Sequence, residues 1–126
     1  MKPTLVGDDG WVIQVTLEEF EELVGEGLDL IPDELASLMD NVVVLVEDYP
    51  PNGRRLLGLY HGVPLTERGS SYAGMLPDTI HIYRFPILRM CRSKEEVVEE
   101  VRHTVVHEVA HHFGISDERL HELDAY

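Results

Sequence analysis

The sequence predicts an α+β domain in which a small mixed sheet of three to four strands packs on helices. Three observations carry that reading. Asn41-Val42-Val43-Val44-Leu45-Val46-Glu47 is too β-branched and too short for a helix. Thr79-Ile80-His81-Ile82-Tyr83-Arg84 is β-rich and alternates with the period of a strand. Between Ser93 and Phe113, Val97, Val101, Val105 and Val109 recur every four residues, as on one helix face. A chain of 126 residues supports one core, so residues 1–126 read as a single domain with an irregular segment over 1–14.

The elements follow in order. Thr16 precedes an acidic helix with Leu17, Phe20, Leu23 and Val24 at helical spacing, and Gly25 and Gly27 are expected to end it. Pro32 opens a second short helix carrying Leu35, Leu38 and Met39. Residues 41–47 then form a buried strand, and Pro50-Pro51-Asn52-Gly53 forces a turn. Leu56-Leu57-Gly58-Leu59-Tyr60-His61-Gly62 is a further strand, with glycines where a backbone or ligand comes close. Residues 63–77 lack periodicity and read as a long loop.

Residues 79–84 are expected to be an edge or half-exposed strand, with Ile80 and Ile82 on one face and Thr79, His81 and Tyr83 on the other, stopped by Pro86. Ser93-Lys94-Glu95-Glu96 fits a capping box for the long helix, which Gly114 terminates. Its valine content lowers intrinsic helix propensity, so tertiary packing must hold it. Ser116 caps a final short helix with Leu120 and Leu123.

Composition narrows the function. The 24 acidic and 10 basic residues leave a formal charge of −14, a field that repels phosphate backbones and anionic membranes. No basic patch is visible along the chain, so nucleic acid and membrane are not expected partners. One cysteine, Cys91, cannot make an intramolecular disulfide, and there is neither a signal-like N-terminus nor a run of about 20 apolar residues. A cytoplasmic protein is the expectation.

The chemistry concentrates in His107-Glu108-Val109-Ala110-His111. On a helix the two histidines stand one turn apart and project side by side, where both can bind one Zn²⁺. Glu108 lies about 100° around from His107, so it reaches a metal-bound water without being a ligand. Zinc lowers the pKa of that water towards about 7, and the glutamate takes its proton as it attacks a carbonyl. The histidine row lies about 200° from the valine row, so one face packs while the other lines a cleft.

A bare H-E-x-x-H arises by chance in roughly one chain in twenty of this composition, which alone decides little. The longer pattern, His107-Glu108-x-x-His111-x-x-Gly114-x-x-Asp117, arises in about one in two thousand. Gly114 lets the chain turn sharply, so that Asp117 can swing back as third ligand and leave the fourth position to water. Asp117 also has a simpler reading, as a favourable charge at the N-terminus of the last helix, with Glu118 or Glu122 as the alternative carboxylate.

This pattern resembles the zincin class of metallopeptidases, and with aspartate third it resembles shorter-motif relatives of the metzincins. Together with Leu57-Gly58-Leu59-Tyr60-His61-Gly62-Val63-Pro64-Leu65-Thr66-Glu67-Arg68 and Leu76-Pro77-Asp78-Thr79-Ile80-His81-Ile82-Tyr83-Arg84, it resembles a bacterial family of predicted zinc proteases with a minimal metalloprotease-like domain, over residues 15–126. The resemblance implies a reduced zincin fold, one zinc per chain bound by His107, His111 and Asp117, Glu108 as catalytic base, and a peptide or protein substrate. The methionine turn of metzincins has no counterpart, because Met39, Met75 and Met90 all precede the motif. Substrate binding then falls to the upstream loop and an edge strand expected within 79–84.

Other candidates are weaker. Tyr60, His61, Arg68 and Tyr83 can polarise a carbonyl or bind substrate, against packing and solvation as the bland alternative. His103, one turn before His107, and His121, four residues after Asp117, are candidate supports of the ligands. The expected function is a zinc-dependent metallopeptidase-like hydrolase. The alternative is a non-catalytic peptide-binding module with a vestigial or structural zinc. A hydrolase of the rRNA-maturation type fits least, since its three-histidine ligand spacing is not matched.

Overall fold

The computed structural model describes residues 4–6, 10–63 and 76–123. Two short strands, β1 (Thr4–Val6) and β2 (Gly10–Val12), pair antiparallel, so the N-terminal segment holds a two-stranded sheet where an irregular segment was expected. Helix α1 (Leu17–Asp29) starts at a full capping box. Thr16 Oγ1 accepts the Glu19 N–H at 3.1 Å, and the Thr16 N–H donates to Glu19 Oε1 at 2.9 Å.

Helix α1 does not stop at Gly25 or Gly27. Gly27 is buried where α1 crosses the long helix, and a Cβ there would stand 2.9 Å from the Val98 carbonyl oxygen. The missing side chain serves a helix crossing, not a helix end. A short α2 (Asp33–Ala36) follows Pro32 and buries Leu35, and a 3₁₀ turn over Ser37–Met39 continues it.

Three strands form the main sheet: β3 (Val42–Glu47), β4 (Gly58–His61) and β5 (Asp78–Tyr83). Their spatial order is β3-β5-β4, with β5 parallel to β3 and antiparallel to β4. The expected positions of two strands are therefore exchanged. Residues 79–84 were expected at an edge, but β5 is the central strand. Residues 41–47 were expected to be buried, but β3 lies at an edge of the sheet with Val43 and Leu45 about two-fifths exposed. The physical reason is that alternation reports which face a side chain occupies. It carries no information about lateral neighbours, which are recruited by backbone hydrogen bonds.

Pro86 does not terminate β5. It is the third residue of helix α3 (Arg84–Met90), inside the first turn, where the missing N–H costs no intrahelical hydrogen bond. Helix α3 buries Ile87 and Leu88. The long helix α4 (Lys94–Phe113) begins at Ser93, whose side chain accepts the Glu96 N–H, and ends at Gly114, with φ +71°. Helix α5 (Asp117–Glu122) is capped by Ser116 through the Arg119 N–H and buries Leu120.

One core joins these parts. Val97, Val101, Val105 and Val109 of α4 meet Phe20, Leu23 and Val24 of α1, Ile80 and Ile82 of β5, and Leu120 of α5. Each buried valine contributes about 1.5–3 kcal/mol of apolar burial, which offsets the poor helix propensity of β-branched residues. Among the described residues no helix is long and apolar enough to cross a membrane.

Candidate metal centre

Helix α4 runs alongside β4 in matched steps. A Cβ on Gly58 would stand 2.7 Å from Thr104 Cγ2, the Tyr60 N–H donates to Glu108 Oε1 at 3.0 Å, and a Cβ on Gly62 would stand 2.8 Å from His112 Cε1. Two strand residues advance about 6.6 Å and four helix residues about 6.0 Å, so each helical turn meets every second strand residue. Gly58 and Gly62 were expected where a backbone or ligand comes close. From α4 it is the Thr104 and His112 side chains that do so, and the close backbone atom at Gly58 is the His81 carbonyl oxygen of β5.

This alignment fixes Glu108. Its carboxylate accepts the backbone N–H of Tyr60 on β4, the edge strand opposite β3. On the same helix the His107 and His111 rings are 6.2 Å apart between centroids and nearly perpendicular, and the His103 ring lies 4.2 Å from that of His107. His107 is partly buried and its Nε2 is shielded from solvent, whereas His111 is exposed. Burial, and then the neighbouring His103, holds the His107 pKa below its ordinary value.

Asp117 is the first residue of α5, and its charge acts on His107 in the opposite direction. The turn at Gly114 thus brings it within electrostatic reach. His121 is exposed one turn further along α5. Among the described residues no group of three or more His, Cys, Asp or Glu side chains is assembled closely enough to hold a metal ion. Two imidazoles on one helix face, one kept neutral by burial, have the donor chemistry zinc requires. The carboxylate that would complete the set is near but not closed upon them.

The remaining candidates separate. Tyr60 is at the site through its N–H, but its hydroxyl donates to Asp78 Oδ2 at 2.6 Å. His61, the next residue on the strand, stands instead against His81, at 4.8 Å between ring centroids. Tyr83 was expected on a half-exposed face as a substrate contact, but its side chain is buried, 1% exposed, where β5 passes into α3. Burial, then Glu47, raises its pKa. Arg68 and most of the expected 63–77 loop lie outside the described residues.

Two residues outside the candidate site set support it: Asp78, which sequence reasoning missed, and His112, which reads from its position beside His111 as structural. Asp78 accepts the Tyr60 hydroxyl and the Val63 N–H at 2.8 Å, and its carboxylate lies 3.8 Å from His112 Nε2. His112 stacks on Tyr60 at 3.9 Å between centroids, 18° from coplanar. The available signal was an aspartate directly after Leu76-Pro77 at the mouth of a strand, and a histidine about 100° around the helix from His111.

Comparison with known proteins gives the family and a similar solved fold. A family model described as zincin-like metallopeptidase matches residues 39–126, which include both β4 and the whole of α4. A solved structure, of a conserved hypothetical protein from Thermo thermophilus, is similar with a TM-score of 0.54 and 27% identity. The match covers 82% of this chain and 99% of that one. No curated protein matches.

Proposed function

This chain belongs to the zincin-like metallopeptidase family, and from that premise we propose that it is a zinc-dependent hydrolase acting on a peptide or related amide. The observation that carries the proposal is the placement of Glu108, next to His107 on α4 and hydrogen-bonded to the edge of β4. In this reading His107, His111 and Asp117 hold one zinc. When bound, zinc would acidify water towards a pKa of about 7 and polarise the carbonyl under attack.

The chain's own groups do the rest. His107, kept neutral by burial, presents a lone pair without first losing a proton. Glu108 takes the proton of the attacking water and delivers it to the departing amine. The Tyr60 N–H aims that carboxylate along β4, and the Asp78–Tyr60–His112 contacts hold the strand beside the helix. An extended substrate added to the β4 edge takes over the Tyr60 N–H and releases Glu108 towards the bond to be cut. The edge strand is thus β4, in place of the 79–84 segment.

The test is Glu108→Gln, assayed for zinc by elemental analysis of untagged protein and for cleavage of a quenched peptide library. Zinc should be retained and cleavage lost; a variant that still cleaves would sink the mechanism. One observation favours a second reading: Glu108 already satisfies a strand-edge amide, a purely structural task. The protein would then be a peptide-binding module. Wild type and Glu108→Gln, whose amide oxygen still accepts the N–H, would bind peptides equally and cut none.

A further inference from the structure

The ten lysines and arginines face 24 acidic residues, so each cation has more than two potential partners. Four of the basic residues use them: Arg84 pairs with Asp48, Lys94 with Glu19, Arg102 with Glu99, and Arg119 with Glu34 and Glu122. At one place three that form no such pair among the described residues come together. Arg54, Arg55 and Arg89 line a single cavity of 680 Å³ with no acidic residue in its wall.

Among the described residues neither Arg54 nor Arg55 forms a salt bridge. Arg89 donates to the Tyr49 hydroxyl at 3.4 Å, and its guanidinium carbon lies 5.7 Å from that ring's centroid. Three guanidinium groups gathered at one cavity repel each other, and an anion among them reverses the sign of that interaction. Their planar, forked donors match a carboxylate. Tyr49, Leu57 and Pro86 add apolar walls, which suit an anionic tip on a hydrocarbon stem better than a fully hydrated ion.

The cavity lies where β3 and β5 end and β4 begins. Leu57 in its wall is three residues before Tyr60, whose N–H meets Glu108. At about 3.3 Å per residue this places the cavity about 10 Å along the strand from the proposed base. We propose that Arg54, Arg55 and Arg89 recognise an acidic side chain or terminal carboxylate of a polypeptide substrate, about three residues from the bond cut. This rests on the hydrolase reading for the position of the bond, but not for the binding itself.

The test uses the full-length Glu108→Gln protein with zinc, which leaves peptides intact. A fluorescent neutral dodecapeptide is compared by anisotropy with versions carrying an Asp pair at successive positions, or a free in place of an amidated C-terminus. One placement should bind about tenfold tighter than the neutral peptide, the scale of one charge-assisted contact. That gain should shrink in about 0.5 M salt and vanish in the Arg54→Gln/Arg55→Gln/Arg89→Gln variant, with partial loss in each single variant.

Equal affinity for acidic and neutral peptides, or a gain that survives the triple variant, overturns the proposal. So does binding of inorganic phosphate or a short RNA through these arginines with no gain for acidic peptides. The two readings fail separately. Wild-type protein that binds acidic peptides through the arginines but cuts none removes the hydrolase and leaves the recognition site. Wild-type protein that cuts acidic and neutral peptides alike removes the recognition site and leaves the hydrolase.

Discussion

The two faces of helix α4 share one backbone and divide the labour of the protein. On one face Val97, Val101, Val105 and Val109 are at most 1% exposed and join the core. On the other, His103 and His107 are partly buried and His111 is open. The valine face stabilises the helix but does no chemistry. The histidine face is less tightly packed than the valine face and opens towards solvent at His111. On the proposed function, stability and chemistry are separable because they lie on different sides of a rigid rod.

Substitutions can break or sharpen this contrast. The largest effect belongs to the chemical face: His111→Ala should abolish zinc binding by elemental analysis, yet shift metal-free stability by no more than about 0.5 kcal/mol, as expected for an exposed side chain. Asp117→Ala should also weaken zinc binding strongly while costing at most about 1 kcal/mol, and Asp117→His should keep the metal. Equal zinc affinity in all three Asp117 forms would remove that residue from the ligand set and point to Glu118 or Glu122.

On the packed face the pattern reverses. Val105→Ala should cost about 1–3 kcal/mol in denaturant unfolding and leave zinc stoichiometry at wild-type level. Metal loss in a variant that remains folded would show that the two faces are coupled. Gly58→Ala tests the seam between them. Its Cβ would press on Thr104 Cγ2 at 2.7 Å and the His81 carbonyl oxygen at 3.0 Å, so stability should fall by about 1–3 kcal/mol, and turnover with it as Glu108 shifts from β4.

The smallest effect is one of pH, in the metal-free protein. Because burial lowers the His107 pKa, the native chain is neutral there while the unfolded chain still binds a proton. Stability should therefore be flat above the ordinary value of 6.5 and decline as pH falls from 6.5 through the native value. His107→Gln should remove that part of the slope. An unchanged profile would show that His107 does not carry it.

Much of the fold is legible in short stretches of the chain. The α4 boundaries, the Thr16, Ser93 and Ser116 caps and the left-handed Gly114 are all visible in a few neighbouring residues, because capping and periodicity are interactions within one or two turns. Helix α3 was missed because Pro86 reads as a breaker unless its place in a first turn is known. Gly27 read as a stop because a glycine that ends a helix and one that admits a second helix look alike in sequence.

By itself, then, the sequence determined which residues are the candidates for chemistry: a helix with His107 and His111 on the face away from its valines, Glu108 about 100° around from His107, and an aspartate placed after a turning glycine. These are matters of spacing along a chain of fixed geometry. Only the tertiary structure decided that β5 is central and β3 is at an edge, that Glu108 meets the Tyr60 N–H, and that Asp78 and His112 brace that strand. It alone gathered Arg54 and Arg55 with Arg89, more than 30 residues further along the chain, into one cavity. Strand neighbours and charge clusters arise from contacts between distant segments, chosen by burial and backbone hydrogen bonding over the whole domain, and no short window of sequence contains both partners.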